Sequence, residues 1–394
     1  MPRAIDILLL TNDAGSGHRS AAIALEAAFL RMYGSAARVV VRNPIQHTSA
    51  PDLLRRYEQV YVGKMQKTPA LYHLSYTISE LPGVAYLLHQ TVRQMLYRAI
   101  TNLLHEQPYD LVMSVYPIYT SIAARVVRGF PRRPGLMTVV TDLGSVHSVW
   151  FNRTDDYCVV PTAVARAKAI RCGLSPDQVI TTGLPVHPSF AAPRADTATL
   201  RRELGWHPDL PTLLLLGGGA GVGQLGALAL ALDSVRLPLQ VAIVTGTNTA
   251  LAEQLREHNW RIPAHIYGFV PLADMMHAAD IVATKAGGVT VSEALAAGKP
   301  LLIHGDPPGQ EEGNLRYVQS HGAGLWISDP TALAAHVNNW LAHPAQMERT
   351  AAQAQRLGRP DAALRIVRLA WDLATVGPPT NAREIDRRWW RSMA

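Results

Sequence analysis

The chain is poor in several features that mark common protein classes. It has 2 cysteines in 394 residues, Cys158 and Cys172, which are too few for a disulfide framework and too isolated for a zinc site. Charged residues make up 17% against 48% hydrophobic residues, which excludes a disordered polypeptide. Low-complexity tracts and short repeats are also missing. These absences leave a folded globular chain whose length suits two domains.

Lysine is scarce as well, and the formal charge of +7 comes mostly from arginine. A positive balance of this kind favours anionic partners such as phosphates or lipid head groups. The sequence has neither a helix-turn-helix nor a zinc-finger pattern, and no basic stripe interleaved with aromatic residues. We therefore expect no nucleic-acid partner.

Long apolar runs are equally rare. The run Ile7–Leu10 near the start is too short for a signal peptide. The segment Leu213–Leu232 has the nominal length of a membrane span, but its glycine cluster would make a poor helix. A buried strand Leu213–Leu216, a glycine loop and a helix from about Gln224 account for this segment instead. We expect no transmembrane segment.

Short apolar runs that alternate with helical patterns are the main structural signal. In the first half they are Ile5–Leu10, Arg38–Val41, Leu111–Val115, Leu136–Thr141 and Tyr157–Val160. In the second half they are Leu213–Leu216, Val241–Thr245, His265–Tyr267, Ile281–Thr284, Leu301–His304 and Leu325–Ile327. Such runs are typical of buried parallel strands. The pattern predicts an α/β protein with two doubly wound, Rossmann-like domains facing a central cleft.

A proline-rich segment, Gly183–Pro193, separates the two halves and marks the domain boundary. We predict an N-terminal domain over residues 1–185 and a C-terminal domain over residues 194–375. Residues 376–394 form a basic, aromatic tail that contains Trp389 and Trp390. This tail is either a membrane-surface element or a solvated chain end.

The segment from Pro51 to Glu106 departs from the alternation, because it reads as a long amphipathic helical stretch. Basic and aromatic residues lie among its apolar positions. One interpretation is a helical layer that covers the sheet. The other is a site for lipid or a membrane surface, since interfacial helices combine the same residue types.

Two glycine-rich turns, Asn12–Ser20 and Gly217–Gly223, each follow a predicted strand and open a helix. Bare backbone amides at a helix start can approach a diphosphate, and the helix dipole favours its charge. Gly221, Gly223 and Gly226 have the G-x-G-x-x-G spacing, but the strand Val241–Val244 ends without the acidic residue of a dinucleotide site. This absence weakens an oxidoreductase interpretation, and a tight strand-to-helix turn remains the structural alternative.

Two further segments of the second half are candidates for ligand binding. Thr284–Glu293 reads TKAGGVTVSE, in which two glycines precede a helix start that carries hydroxyl groups. Glu293 is either a routine acidic residue near a helix start or an acceptor for the two hydroxyls of a ribose. The loop Asp306–Asn314 reads DPPGQEEGN and is rich in side chains that can bind hydroxyls.

In the first half, His18 lies at the entry of the helix that follows the glycine turn. Converging backbone N–H groups disfavour its protonation and leave a neutral ring that can accept a proton. Taken in isolation, the pattern favours a capping or packing role for this histidine. Asp142 and His147 follow another strand and are expected at the same carboxyl edge. Either could orient His18 or replace it.

Six blocks of the sequence occur in an order that resembles the diacylglycerol glycosyltransferases. They are NDAGSGHRSAAIALEAAF, TVVTDLGSVHSVWF, TTGLPVHPSF, LLLLGGGAGVG, TKAGGVTVSEALAAGKPLLI and PPGQEEGNLRYVQSHGAG. Between about Ile5 and Gly324 the chain is similar to monogalactosyldiacylglycerol synthases and to bacterial diacylglycerol glucosyltransferases. A more distant resemblance links it to the enzyme that adds N-acetylglucosamine to a lipid-linked peptidoglycan precursor.

The resemblance implies a GT-B fold and an inverting transfer of a hexose from a UDP-sugar to 1,2-diacylglycerol, without a metal or cofactor. GGVTVSE is nearer to the bacterial glucosyl enzymes and TDLGSVHSVWF to the plant form, so the donor is UDP-galactose or UDP-glucose.

The resemblance also assigns roles to residues. His18 would be the general base or its closest neighbour, supported by Asp142, and the acceptor would meet Gly17 and His147. The donor-binding residues would be Gly218, Gly219, Gly221, Phe269, Thr290, Ser292, Glu293, Gln310, Glu311 and Asn314.

The expected partners are the UDP-hexose, diacylglycerol and an anionic membrane surface, with a peripheral location on the cytoplasmic face of the cell membrane. Three alternatives remain. One is transfer of N-acetylglucosamine from its UDP-sugar to a polyprenyl-linked precursor. The others are an NAD-binding oxidoreductase and a non-catalytic nucleotide-binding protein at the membrane.

Overall fold

The computed structural model describes residues 3–13, 16–55, 82–218, 224–305 and 310–377. For residues 16, 82–89 and 310 it describes the backbone alone. The chain forms two compact units. The first contains Met1–Pro185 together with Ala362–Ala394, and the second contains Val186–Asp361.

The first unit has a six-stranded parallel sheet in the order β2-β1-β3-β4-β5-β6. Its strands are β1 (Ile5–Leu10), β2 (Ala37–Arg42), β3 (Leu111–Ser114), β4 (Gly135–Val139), β5 (Tyr157–Val160) and β6 (Val179–Thr181). The interior strands are apolar and buried throughout because helices cover both faces of such a sheet. The helices are α1 (Ser16–Tyr33), α2 (Pro82–His105), α3 (Tyr119–Val127) and α4 (Ala163–Arg171), with a final helix described below.

The second unit repeats this architecture with the strand order β12-β11-β10-β7-β8-β9. Its strands are β7 (Thr212–Leu216), β8 (Gln240–Val244), β9 (Ala264–Tyr267), β10 (Ile281–Thr284), β11 (Leu301–His304) and β12 (Gly324–Ile327). Its helices are α5 (Thr197–Glu203), α6 (Leu225–Val235), α7 (Thr249–Glu257), α8 (Ala273–Ala278), α9 (Gly288–Ala296), α10 (Gln310–Ser320), α11 (Pro330–Ala342) and α12 (Pro344–Leu357). The prediction of two parallel α/β sheets is confirmed.

The last described helix, α13 (Ala362–Val376), belongs to the first unit. The sequence prediction placed residues up to 375 in the C-terminal domain, and this limit is corrected to Asp361. The reason is the broad apolar face of α13, which packs against α1 and the strands β3 and β4. The Trp371 ring stacks on Tyr33 of α1 at 4.0 Å between centroids, and Leu373 fills the space above Gly135 of β4.

Three segments singled out from the sequence fall partly outside the described residues. Residues 56–81 of the amphipathic stretch are among them, although its second part forms α2. Residues 378–394 of the basic, aromatic tail are outside as well. In the segment 213–232 the structure describes β7, residues 217, 218 and 224, and the first part of α6, whereas residues 219–223 lie outside the described residues. Across the described ranges, no helix is both long and apolar enough to cross a membrane.

Candidate active site

In the first unit, neighbouring strands bring the residues of the predicted catalytic site to one edge of the sheet. Strands β1, β3 and β4 are adjacent and parallel, so the chain leaves all three at the same edge. His18 follows β1 in the first turn of α1, Tyr116 follows β3, and Thr141 and Asp142 follow β4. One sheet edge therefore carries the general-base candidate and its neighbours.

The His18 ring is held by one hydroxyl and two aromatic rings. Its Nδ1 lies 3.0 Å from the Thr141 Oγ1, within hydrogen-bonding distance. The Tyr116 ring meets it edge-on at 5.0 Å between centroids, and Trp150 lies at 6.0 Å. The imidazole is thus fixed in orientation, which a general base requires.

Burial lowers the pKa of His18 from 6.5 to about 4, while a hydrogen bond with the Val115 backbone acts in the opposite direction. The ring is uncharged at neutral pH and keeps a lone pair for a proton. The direction of this pKa shift agrees with the neutral ring expected from the sequence. The cause differs from the prediction, since burial among the neighbouring rings has the largest effect on this pKa.

Asp142 and His147 contribute to the position of Trp150. The Trp150 Nε1 donates to the Asp142 Oδ2 over 2.8 Å, so this carboxylate connects to His18 through the indole ring. His147 caps the short 3-10 helix Ser148–Trp150, where its Nδ1 accepts from the Val149 amide over 3.1 Å. Gly17 is half-buried in the first turn of α1. Contact of Gly17 and His147 with an acceptor remains a prediction.

In the second unit, the adjacent strands β11, β10 and β7 bring the segments that were predicted to bind the donor to one edge. The glycine turn follows β7, the segment TKAGGVTVSE spans the end of β10 and the start of α9, and His304 ends β11. Gly218 has φ +72, and no atom lies within 4 Å of the position that a Cβ would occupy. Gly219 and Gly221 lie outside the described residues.

His304 is a residue that the sequence interpretation missed. It is buried, and its Nε2 donates to the Leu216 carbonyl over 3.1 Å, directly before the glycine turn. Burial lowers the pKa of His304 to about 4, and the nearby charge of Lys285 adds to this effect. A neutral histidine therefore anchors the start of the turn.

The side chains of α9 have different environments. Glu293 is half-buried, and burial raises its pKa from 4.5 to about 8. Among the described residues, no hydrogen bond or ion pair reaches its carboxyl group. Thr290 is half-buried, whereas the Ser292 hydroxyl donates to the Gly288 carbonyl over 2.8 Å. Glu293 is thus the α9 side chain with the most capacity for a ligand hydroxyl.

The remaining donor-binding candidates lie on α10 and after β9. Glu311 is in the first turn of α10, where burial raises its pKa and the charge of Lys285 opposes that effect. The buried Asn314 donates to the Ala286 carbonyl over 2.9 Å and thereby secures the loop before α9. For Gln310 the backbone alone is described, and Phe269 is 77% exposed. Contacts of these residues with the donor remain predictions.

Among the described residues, no group of three or more histidine, cysteine, aspartate or glutamate side chains is arranged to hold a metal ion.

Two family models match the chain in succession. Residues 18–186 match monogalactosyldiacylglycerol (MGDG) synthase, and residues 212–366 match the glycosyltransferase family 28 C-terminal domain. The first match covers the histidine edge, and the second covers the glycine turn, α9 and α10.

Curated relatives align over nearly the whole chain. A probable chloroplastic monogalactosyldiacylglycerol synthase of Glycine max is 34% identical, covering 92% of this chain and 70% of the relative. Probable monogalactosyldiacylglycerol synthase 2 of Oryza sativa subsp. indica is 33% identical, covering 92% of this chain and 79% of the relative. Monogalactosyldiacylglycerol synthase 1 of Arabidopsis thaliana is 32% identical, covering 92% of this chain and 69% of the relative.

Solved structures share the architecture at low sequence identity. MurG of Acinetobacter baumannii has a TM-score of 0.62 at 15% identity, with 94% of this chain and 100% of that chain covered. The calicheamicin glycosyltransferase CalG4 has a TM-score of 0.56 at 16% identity, with 96% of this chain and 100% of CalG4 covered. These similarities show a GT-B fold, as the sequence analysis predicted.

Proposed function

The chain belongs to the monogalactosyldiacylglycerol synthase family, and from this membership we propose that it transfers galactose from UDP-galactose to the free hydroxyl of 1,2-diacylglycerol. The curated relatives, which carry this activity in their names, favour galactose over glucose. The observation that carries the chemistry is the neutral His18 ring, fixed by Thr141 and enclosed by Tyr116 and Trp150.

The proposed reaction is a single displacement at the anomeric carbon. His18 takes the proton of the acceptor hydroxyl while the acceptor oxygen forms a bond to the anomeric carbon. The bond from that carbon to the diphosphate oxygen breaks, and its electron pair leaves with UDP. Attack from the face opposite UDP inverts the configuration at the sugar.

The donor would bind at the carboxyl edge of β7, β10 and β11. The amides at the start of α9 suit a diphosphate because a helix start presents free N–H groups to an anion, and the space beside Gly218, where no side chain stands, would let the anion approach the backbone. The Glu293 carboxyl suits the paired hydroxyls of a ribose. Thr290, Ser292, Gln310, Glu311, Asn314 and the Phe269 backbone complete the proposed donor set.

The acceptor is a lipid, and we propose that the protein binds peripherally to an anionic membrane at the cytoplasmic face of the cell membrane. Exposed side chains of the first unit support this, since Leu53 is 68% exposed and Tyr97 is 39% exposed. The Arg125 guanidinium lies 5.8 Å above the Tyr97 ring, a pairing of cation and aromatic suited to a lipid interface.

Transfer of N-acetylglucosamine to a polyprenyl-linked precursor and NAD-dependent oxidation are not favoured. MurG shares the fold at 15% identity, whereas the curated relatives above 30% identity are named monogalactosyldiacylglycerol synthases. The sequence also argues against the oxidoreductase alternative. A dinucleotide site needs an acidic residue at the end of the strand after the glycine turn, and β8 is followed by Thr245 and Gly246 instead.

The decisive experiment supplies purified protein with diacylglycerol vesicles and one donor at a time: UDP-galactose, UDP-glucose or UDP-N-acetylglucosamine. We expect monogalactosyldiacylglycerol with the first donor, identified by mass spectrometry and by the β configuration of the product. A product formed with another donor alone would contradict the proposed specificity, and transfer to a polyprenyl-linked acceptor alone would contradict the proposed acceptor.

A further inference from the structure

The segment between β3 and α3 contains a residue with a strained backbone. Ile118 directly precedes α3 and has φ 79 and ψ -38. A positive φ is costly for a β-branched residue, and the negative ψ places Ile118 outside the left-handed helical region as well. Arg236, the other non-glycine residue with positive φ in the described ranges, has ψ 47 and lies within that region. Strain such as that at Ile118 persists where surrounding contacts impose it, and it clusters at functional sites.

Hydrogen bonds to two elements hold this segment in its conformation. The Ile118 carbonyl accepts from the Ser121 amide over 3.1 Å, the Ile122 amide over 3.3 Å and the Ser121 hydroxyl over 2.6 Å. The next residue, Tyr119, is fully buried, and its hydroxyl accepts from the Asn12 Nδ2 over 3.1 Å. Since Asn12 follows β1, the start of α3 and a neighbouring strand end both fix the strained residue.

This segment places the Tyr116 ring at the sheet edge that carries His18. The Ser114 hydroxyl, at the end of β3, donates to the Tyr116 carbonyl over 2.7 Å and accepts from the Tyr116 amide over 3.1 Å. Tyr116 is half-buried, and its ring lies 4.9 Å from that of Tyr119 and meets the His18 ring edge-on at 5.0 Å, measured between centroids. Tyr116 thus connects the strained segment to the general-base candidate.

An aromatic ring in this place acts on His18 in two ways. It blocks rotation of the imidazole away from the Thr141 hydroxyl, which lies within hydrogen-bonding distance of Nδ1. It also excludes water from one side of the imidazole, and burial has the largest effect on the pKa of His18. The Trp150 ring is farther away, at 6.0 Å, and depends on Asp142 for its position. The Tyr116 ring is held by its own backbone instead.

We propose that Tyr116 is a positioning residue that holds the His18 imidazole against Thr141, and that the strained segment around Ile118 keeps the Tyr116 ring in place. This inference rests on the proposed galactosyl transfer, in which His18 takes the proton of the acceptor hydroxyl. The role belongs to the aromatic ring, because the contact with His18 is made between the two rings. Tyr116 itself neither takes a proton nor forms a bond to the substrate.

The test compares Tyr116→Ala and Tyr116→Phe with the wild type. Alanine removes the ring and leaves the imidazole free to turn, so kcat should fall about 10- to 100-fold, the range expected when a reacting group is misplaced by up to about 1 Å. Phenylalanine keeps the ring and should retain the wild-type kcat. An equal loss in both variants would show that the phenol hydroxyl acts in the reaction, which overturns the inference.

The pH profile separates positioning of His18 from a general structural defect. Without the Tyr116 ring, water reaches the imidazole, and the pKa of His18 should rise from about 4 toward 6.5. Protonated His18 cannot take a proton, so the ratio of kcat/KM in Tyr116→Ala to that in the wild type should fall, by up to about tenfold between about pH 7.5 and 5.5. This ratio cancels the titration of Glu293, which both proteins share. A ratio that is independent of pH would refute action through His18.

Phe130→Ala is the matched control. Phe130 is a half-buried aromatic residue of the same unit, and its ring lies 5.1 Å from that of His105. Phe130 and Tyr116 pack against the same apolar cluster of the sheet, α2 and α3. Phe130 precedes β4, however, so it lies at the sheet edge opposite His18. We expect a similar loss of stability in Phe130→Ala without the change in pH profile, and an equal change would overturn the inference.

A titration of His18 by NMR distinguishes failure of this inference from failure of the proposed function. The imidazole resonance is assigned by its absence in His18→Ala. Between about pH 5 and 8 it should stay constant in the wild type and should shift with a midpoint near about 6.5 in Tyr116→Ala. If the wild type transfers galactose and the two titrations are the same, the role of Tyr116 is refuted and galactosyl transfer stands. If the titrations differ as expected but the wild type transfers no sugar, the proposed function is refuted and the positioning role with it.

Discussion

At the scale of single residues, the chemistry depends on groups whose charge state is set by burial. His18 is uncharged because its surroundings disfavour the imidazolium form, and Glu293 keeps its proton to a higher pH for the same reason. In the proposed mechanism both states matter, because the first would supply a base and the second would determine when a carboxylate is available to the donor.

Replacement of His18 by alanine removes the proposed base. We expect the rate of transfer to fall by about 10²- to 10⁴-fold, the usual contribution of a positioned general base, while UDP binds within about twofold of the wild type. Product formation from radiolabelled UDP-galactose measures the first quantity, and calorimetry measures the second. His321→Ala changes an exposed histidine of the second unit and serves as the control. Turnover near the wild-type level in His18→Ala would refute the assignment.

Glu293 predicts a pH dependence of donor binding. Its pKa of about 8 leaves it mostly protonated at pH 7, and ribose hydroxyls are best bound by the deprotonated form. Raising the pH from 6 to 8.5 should therefore lower the KM for UDP-galactose, and the effect should level off above the pKa. In Glu293→Gln the KM should be higher and its pH dependence flatter over this range. A KM that rises with pH in the wild type would show that the protonated acid is the binding form.

Sequence reasoning singled out His18 and Glu293 because each lies in a helix whose start follows a predicted strand and a glycine-containing segment. Thr141 and His304 were not assigned roles, although each lies at the end of a predicted strand. Their roles depend on partners from other strands, namely His18 after β1 and Leu216 at the end of β7. Strand order determines such pairs, and local residue patterns do not reveal strand order.

At the scale of elements, the interior strands could be predicted because burial on both faces produces continuous apolar runs. β6 was missed because it has 3 residues, one of them exposed, and gives no such run. The amphipathic pattern of α13 predicts a helix that packs on one face but does not say which sheet it covers. The contacts of α13 with α1 and the Gly135 end of β4 decide this.

The packing of α13 gives a stability prediction. Leu373 is buried over β4, so Leu373→Ala should lower the free energy of unfolding of the first unit by about 2–5 kcal/mol, the usual cost of deleting a core leucine side chain. Thr375→Ala, which changes an exposed residue of the same helix, should cost less than about 0.5 kcal/mol. Urea denaturation followed by circular dichroism measures both values. Equal stability of the two variants would contradict the assignment of α13 to the core of the first unit.

At the scale of the whole molecule, two repeats of alternating strands and helices predicted two doubly wound domains, and the order of six sequence blocks indicated the family and, through it, the GT-B fold. The cleft predicted between the domains stays a prediction. What the sequence did not reveal is that the chain returns to its first unit after completing the second.

Binding of UDP should stabilise the second unit alone, so that hydrogen exchange in the two units responds differently to the ligand. A ligand that binds the folded second unit stabilises it by mass action, by about 2.7 kcal/mol at a concentration of 100 Kd. Saturating UDP should therefore slow hydrogen exchange of the α6 and α9 amides about 100-fold where exchange requires unfolding of this unit. The amides of α13 should exchange as those of α1 do, despite following the second unit in sequence. Protection of α13 together with α9 would contradict the division at Asp361.

The return of the chain through α13 has a consequence for synthesis on the ribosome. The sheet of the first unit is complete once β6 has emerged, yet Tyr33 and Gly135 lack their covering side chains until the last helix follows. The nascent protein must therefore carry an uncovered apolar surface while all residues of the second unit are translated. We therefore expect chaperones to bind the first unit during this interval. A premature stop codon shortly before residue 362 should impair the folding of the first unit, although that unit is translated first.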